Sequence, residues 1–253
     1  GKPGEFYSEE LLYQMFGVNA ELLIDHAWGY EPCTIAQIRA YKPQSSSLGC
    51  GQVLSCPYTA DKARIVVQEM IDGISLELVE KRLVTDQLVL TVGYDIENLT
   101  RPEIRKVYKG PVTTDRYGRR VPKHAHGTWN LPRATSSSSE LLEAMAALYD
   151  KIVNPALLIR RMSLSACHVV NEKMAKEREQ KETFEQLDLF TDYAKKEAKE
   201  KEEQKKRERE RRMQEALLTI KKKYGKNAVL RGMNFEEGAT AKERNGQIGG
   251  HQA

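Results

Sequence analysis

Apolar positions change their period several times along this chain. Leu11, Leu12, Met15 and Phe16 recur at helical spacing and stop at Gly17; a second helix is predicted from about Ala20 to Ala27, ending before Gly29. Residues 39–47, "RAYKPQSSS", have the composition of a linker. From 48 to 170 the order reads βαββαβ. "LGCGQVLS" (48–55) alternates as a strand. A helix follows over 61–81, with Ala63, Val67, Met70, Ile71, Ile74 and Leu78 on one face. "LVTDQLVLTV" (83–92) alternates through Leu88, Leu90 and Val92, and the polar, basic stretch 95–125 reads as a long hairpin or insertion. "HGTWNL" (126–131) is a short strand.

Ser137 and Glu140 have the spacing of a capping box for a helix over about 138–151, with Leu141, Met145, Leu148 and Ile152 as its buried stripe. "PALLIRRMSLSACHVV" (155–170) closes the unit as its longest expected strand. Leu158, Met162, Leu164 and Ala166 lie on one face of it, and Arg161, Ser163 and Ser165 on the other. An antiparallel sheet with helices on one side buries one face only. The other is expected to be open, polar and basic.

Core signals stop after residue 171. Residues 192–212 carry ten Lys/Arg and seven acids, with Glu197/Lys201, Glu202/Lys206 and Glu208/Arg212 at i, i+4. Such pairs support a solvated single helix by about 0.2–0.5 kcal/mol each. Residues 216–253 read as a weak helix and then a flexible, Gly-rich polar tail. The predicted fold is α+β: a small helical region over 1–38, the linker 39–47, a four-stranded antiparallel-rich sheet with two helices on one face over 48–170, a short apolar peptide and a charged helix over 171–215 and the tail 216–253.

The net charge of +4 is less informative than its distribution. Residues 1–38 hold one basic residue against six acids, whereas 101–133 hold nine Lys/Arg against two acids. That excess points to a polyanion partner. Cys33, Cys50, Cys56 and Cys167 show no C-x-x-C spacing, which fits a reduced cytoplasmic chain and argues against a zinc site or a disulfide framework. No apolar run is long enough to span a bilayer, and no membrane partner is expected. Asn98-Leu-Thr100 matches a glycosylation pattern by coincidence in such a chain. His124-x-His126 puts two imidazoles on one strand face without a third ligand, so no metal is assigned.

Between the domain and the charged helix lies Gln186-Leu187-Asp188-Leu189-Phe190, an apolar cluster that fits no helical stripe. Two adjacent hydrophobic anchors, a directed hydrogen-bonding Gln and a tether make a docking element. The alternative is that Leu187, Leu189 and Phe190 pack back on the domain. The pentapeptide closely resembles the bacterial sliding-clamp binding motif, Gln-Leu-x-Leu-Phe. "LLYQMFGVNAELLIDHAWGYEP" resembles the thumb of Y-family translesion DNA polymerases. The βαββαβ unit resembles that family's little finger domain, and "VGYD", "DRYGR", "HGT" and "RNGQIGGH" resemble its UmuC-like branch in Gram-positive bacteria.

The resemblance implies a DNA-binding, clamp-tethering C-terminal region of an error-prone polymerase, nucleoid-associated and monomeric, with primer–template or damaged DNA and the β sliding clamp as partners. It implies phosphate contacts from the backbone of Gly17, Val18, Asn19 and Ala20, where a helix N-terminus offers N–H groups, and from Lys42, Arg160 and Arg161. Charge alone adds Arg116, Arg119, Arg120 and Lys123. Arg160 is the weaker candidate of its pair, because it can lie over the helix-packed face. No Ser-x-Asp-Glu motif occurs, so this chain is expected to hold no catalytic residue, with the Mg²⁺-binding palm of the parent enzyme upstream of Gly1. Two other readings stand beside this one: an interaction protein that carries a clamp motif without polymerase ancestry, and an RNA-associated α+β domain.

Overall fold

Two compact units make up the chain, residues 1–44 and 45–253. The computed structural model describes residues 8–41, 46–115, 118–182, 193–248 and 251–252. In the first unit, α1 (Glu9–Phe16) ends at Gly17, whose φ of 58° lies in the left-handed region that glycine adopts without a Cβ clash. α2 (Asn19–Ala27) follows, and Ala20 is fully buried. α3 (Ile35–Ala40) starts at Thr34 with a complete capping box to Gln37, so residues 39 and 40 are helical rather than linker.

The second unit begins with β1 (Leu48–Tyr58), α4 (Ala60–Lys81) and β2 (Leu83–Tyr94). Between β2 and the next long strand, the expected hairpin or insertion resolves into α5 (Glu97–Thr100), α6 (Pro102–Val107) and a hairpin of β3 (Val112–Thr114) and β4 (Arg120–Pro122). β5 (Ala125–Thr135), α7 (Ser138–Ile152), β6 (Ile159–Cys167) and β7 (Val170–Asn171) complete the domain. The sheet runs β1-β6-β2-β5, antiparallel throughout, and β7 pairs with the start of β2 as a fifth strand. The predicted four-stranded sheet therefore gains a short fifth member.

α4 and α7 cover one face. Their stripes, Val67, Ile71, Ile74 and Leu78 with Leu141, Met145 and Leu148, meet Leu88, Leu90, Val92, Met162 and Leu164 in one apolar cluster. Burying each such side chain contributes about 1.5–3 kcal/mol. Three expectations are corrected here. β5 has 11 residues rather than six, and β6 starts at Ile159 and is shorter than the 12-residue β2. Gly93 pairs with Arg161 and Tyr94 with Ile159, so Arg160 is the extra residue of a bulge. The bulge shifts the alternation: Leu157 and Ile159 are buried where Leu158 was expected to be, and Leu158 is half-buried.

The capping box predicted for α7 forms by half. Ser137 accepts from the Glu140 N–H, but the Glu140 carboxylate turns to Arg133. Asn98 is fully buried, its amide bonded to the carbonyls of Asp95 and Leu158 and its oxygen accepting from the Leu158 N–H, so its side chain is closed to modification in this fold.

Beyond β7 the chain forms α8 (Glu172–Glu182) and α9 (Tyr193–Tyr224); residues 201–209 of α9 are exposed, as a solvated charged helix should be, whereas from Glu210 onward the chain forms a packed layer and not a flexible tail. In α9, Gln214 is 2% exposed and donates to Ser138 Oγ (2.8 Å) and the Ser136 carbonyl (3.0 Å). Ser138 continues the chain of bonds to the buried Ser75 of α4. Glu210 accepts from Ser137, and from the N–H and hydroxyl of Ser139, at the start of α7. The segment after α9 crosses α4 as a strap containing a 3₁₀ turn (Gly232–Phe235) and α10 (Ala241–Arg244). Glu69 of α4, 6% exposed, accepts from Asn234 Nδ2 (2.7 Å), Thr240 N (2.8 Å) and Ala241 N (3.0 Å). Arg231 pairs with Asp72, Glu237 with Lys62, and Arg244 donates to Gln52 of β1. Among the described residues, the buried apolar cluster draws every member from residues 54–169. This layer is held by polar anchors.

Candidate nucleic-acid interface

Among the described residues of this second unit, no element packs on the sheet face away from α4 and α7, and the strand register arranges that face in rows. One row is Gly51, Ser163, Thr91 and His126; the next toward the α5 end begins Val53, Arg161, Gly93. His124 extends that second row, one step beyond the paired Val92 and Ala125. Thr91 Oγ1 lies 2.9 Å from His126 Nδ1, and Gln87 Nε2 donates to Asn130 Oδ1 at 2.9 Å. Gly49, Gly51 and Gly93 keep the face low, and a trough of about 350 Å³ opens beside Gly51, Val53, Gly93, His124, Arg161 and Ser163. Small hydroxyl and amide groups dominate. The expectation of a basic face is corrected: Arg161 is the Lys or Arg of its rows, and the remaining charge sits on the adjoining hairpin.

Arg160 and Arg161 lie on opposite sides of the sheet, as neighbours on a strand do. The Arg160 guanidinium pairs with Asp95, itself 3% exposed on its side chain, and donates to the carbonyls of Leu54 (3.2 Å) and Ser55 (2.9 Å). These carbonyls fall in the stretch where β1 breaks register with β6. Arg160 is a brace for two irregular strands, its guanidinium engaged within the domain. Arg161 is exposed on the open face and makes no ion pair among the described residues.

In the hairpin, Arg119 is held by Asp115 through its backbone N–H (3.0 Å) and Nε (2.9 Å). Its charge is thereby partly neutralised. Arg120 is exposed on β4, and Lys123 is exposed while its N–H donates to the Pro111 carbonyl. β4 touches β2 and α5, and Lys123 leads directly into His124, so hairpin and trough adjoin. In the first unit, the Gly17 N–H goes to the Tyr13 carbonyl and the Ala20 N–H to that of Gly17. Of the four expected anion donors at that turn, Val18 and Asn19 keep N–H groups without an acceptor among the described residues, and Gly17 and Ala20 do not.

Lys42, Arg116 and the segment Gln186, Leu187, Asp188, Leu189 and Phe190 lie outside the described residues. Among the described residues, no group of three or more His, Cys, Asp or Glu side chains is placed to hold a metal ion, and no helix is long and apolar enough to cross a membrane. Sequence reasoning missed Gly93 and Thr91. Neither is charged, and their place beside Arg161 follows from a strand pairing 68 to 72 residues apart in sequence. Neither a protein-family model nor a curated protein matches this chain.

Proposed function

We propose that this chain grips primer–template DNA through its open sheet face and basic hairpin and tethers its enzyme to a bacterial sliding clamp, as the C-terminal region of a UmuC-like Y-family translesion polymerase. The observation that carries the reading is the uncovered face itself. It is a sheet surface more than three strands wide, low and hydroxyl-rich, with Arg161, which makes no ion pair among the described residues, and the hairpin cations Arg120 and Lys123 at one end. A polynucleotide backbone asks for cations and hydroxyl donors and needs no base-specific groups. The α+β order with an antiparallel sheet fits a little finger domain. The sequence motif Gln186–Phe190 supplies the tether, which raises local concentration and lets weak DNA contacts suffice.

Fluorescence anisotropy tests both halves. The chain should bind a labelled primer–template duplex with an affinity that falls as salt rises, and more tightly than a structured RNA hairpin of equal length. A preference for the RNA would replace this reading with an RNA-associated one. A labelled Lys181–Asp192 peptide should bind a bacterial sliding clamp and lose that binding on Leu189→Ala with Phe190→Ala. Equal binding by both peptides removes the tether.

A further inference from the structure

We infer that Gly93 is a positioning residue for Arg161, and that its missing side chain seats the guanidinium beside His124 to receive one phosphate group of a polynucleotide. The inference rests on the nucleic-acid reading above. In the register, Arg161 stands between Val53 on β1 and Gly93 on β2, with His124 beyond Gly93. A Cβ on Gly93 would lie 2.5 Å from Arg161 Cγ and 2.6 Å from its Nε. The Arg161 stem therefore lies across Gly93, toward β5 and His124 rather than toward β1.

Gly93 is not required by its own backbone, since its φ is outside the left-handed region. Its cause is the close approach of a side chain. Among the described residues Arg161 makes no ion pair, and Thr91 and Ser163 of the next row supply hydroxyls beside it. Cation, imidazole and hydroxyls around one small trough suit a tetrahedral anion, and Arg binds phosphate through its planar fork. An Arg laid down in this way loses less freedom on binding than one swinging in solvent.

The test is salt-dependent binding of the full chain to a labelled primer–template duplex, with Arg161→Ala, Gly93→Ala, their combination and Gly51→Ala. Gly51 lies on the same face, but a Cβ there meets only the Met162 carbonyl, at 3.6 Å. Arg161→Ala should weaken binding severalfold and lower the salt slope by about one. Gly93→Ala should reproduce both effects, the combination should add nothing, and Gly51→Ala should bind as the unaltered chain does. Unchanged binding in Gly93→Ala, or an additive loss in the combination, overturns the positioning role while leaving the sheet-face reading intact. Unchanged binding in Arg161→Ala removes the sheet-face reading itself. Should Gly93→Ala melt early by circular dichroism, Val53→Arg with Arg161→Ala decides. It moves the cation one strand along the same row, and restored affinity and slope would show that position is immaterial.

Discussion

Two adjacent arginines on β6 occupy opposite environments, as alternation along a strand requires. Arg160 is bonded to a buried carboxylate and two carbonyls, and removing it takes the cationic partner from the buried Asp95 side chain. Arg160→Ala should destabilise the domain by about 2–4 kcal/mol in urea unfolding while leaving the salt slope of DNA binding unchanged. Opposite changes would return Arg160 to the interface. The cysteines divide on the same physical ground. Burial raises the Cys50 thiol pKa to about 11, whereas Cys33 and Cys56 are exposed. The thiolate is the reactive species. At neutral pH, iodoacetamide should label Cys33 and Cys56 well before Cys50, as peptide mass mapping would record; early labelling of Cys50 would contradict its burial.

At the scale of elements, helical periodicity located α4 and α7 to within a residue because their apolar stripes face one continuous core. It failed on α9, whose attachment has no apolar stripe to read. Gln214 is polar and is buried only because Ser136 and Ser138 meet it from 78 and 76 residues away. Ser137 was legible as a cap; its second partner, Glu210, was not, because that carboxylate comes from α9. Gln214→Ala leaves the Ser138 hydroxyl with one partner fewer, a cost of about 1–3 kcal/mol. The expected outcome is faster amide exchange confined to 207–224 and the start of α7. Uniform protection would mean that Leu217 and Leu218 hold the helix unaided.

For the whole molecule, a core confined to 54–169 and a C-terminal layer attached by polar anchors imply two levels of stability. Glu69→Ala removes the shared acceptor of Asn234, Thr240 and Ala241, so protease should cut within 225–246 while the 48–170 body resists. Simultaneous loss of both would show one cooperative unit. Asp72, beneath Arg231, adds a pH dependence. Burial raises its carboxyl above the ordinary 3.8, against the pull of Arg231. A raised folded pKa contributes stability that is present below the ordinary value and lost as pH climbs through the raised one. The unaltered chain should therefore lose stability relative to Asp72→Asn as pH rises above the ordinary 3.8 in paired urea titrations. A constant difference would mean that Arg231 fully compensates the burial.

The sequence by itself determined the order of strands and helices through the core, the stripe each helix buries, and the turn at Gly17, because these depend on local periodicity and backbone chemistry. It also carried the Gln186–Phe190 motif, which is read without a fold. Tertiary structure alone decided what holds Arg160, because Asp95 and the Leu54 and Ser55 carbonyls reach it only through the fold. It decided too that Gly93 lies under Arg161, and that Glu69, Gln214 and Ser138 are buried among partners distant in the chain. A polar group is as easily exposed as buried until its hydrogen-bonding partner is known, and those partners are joined only by the fold.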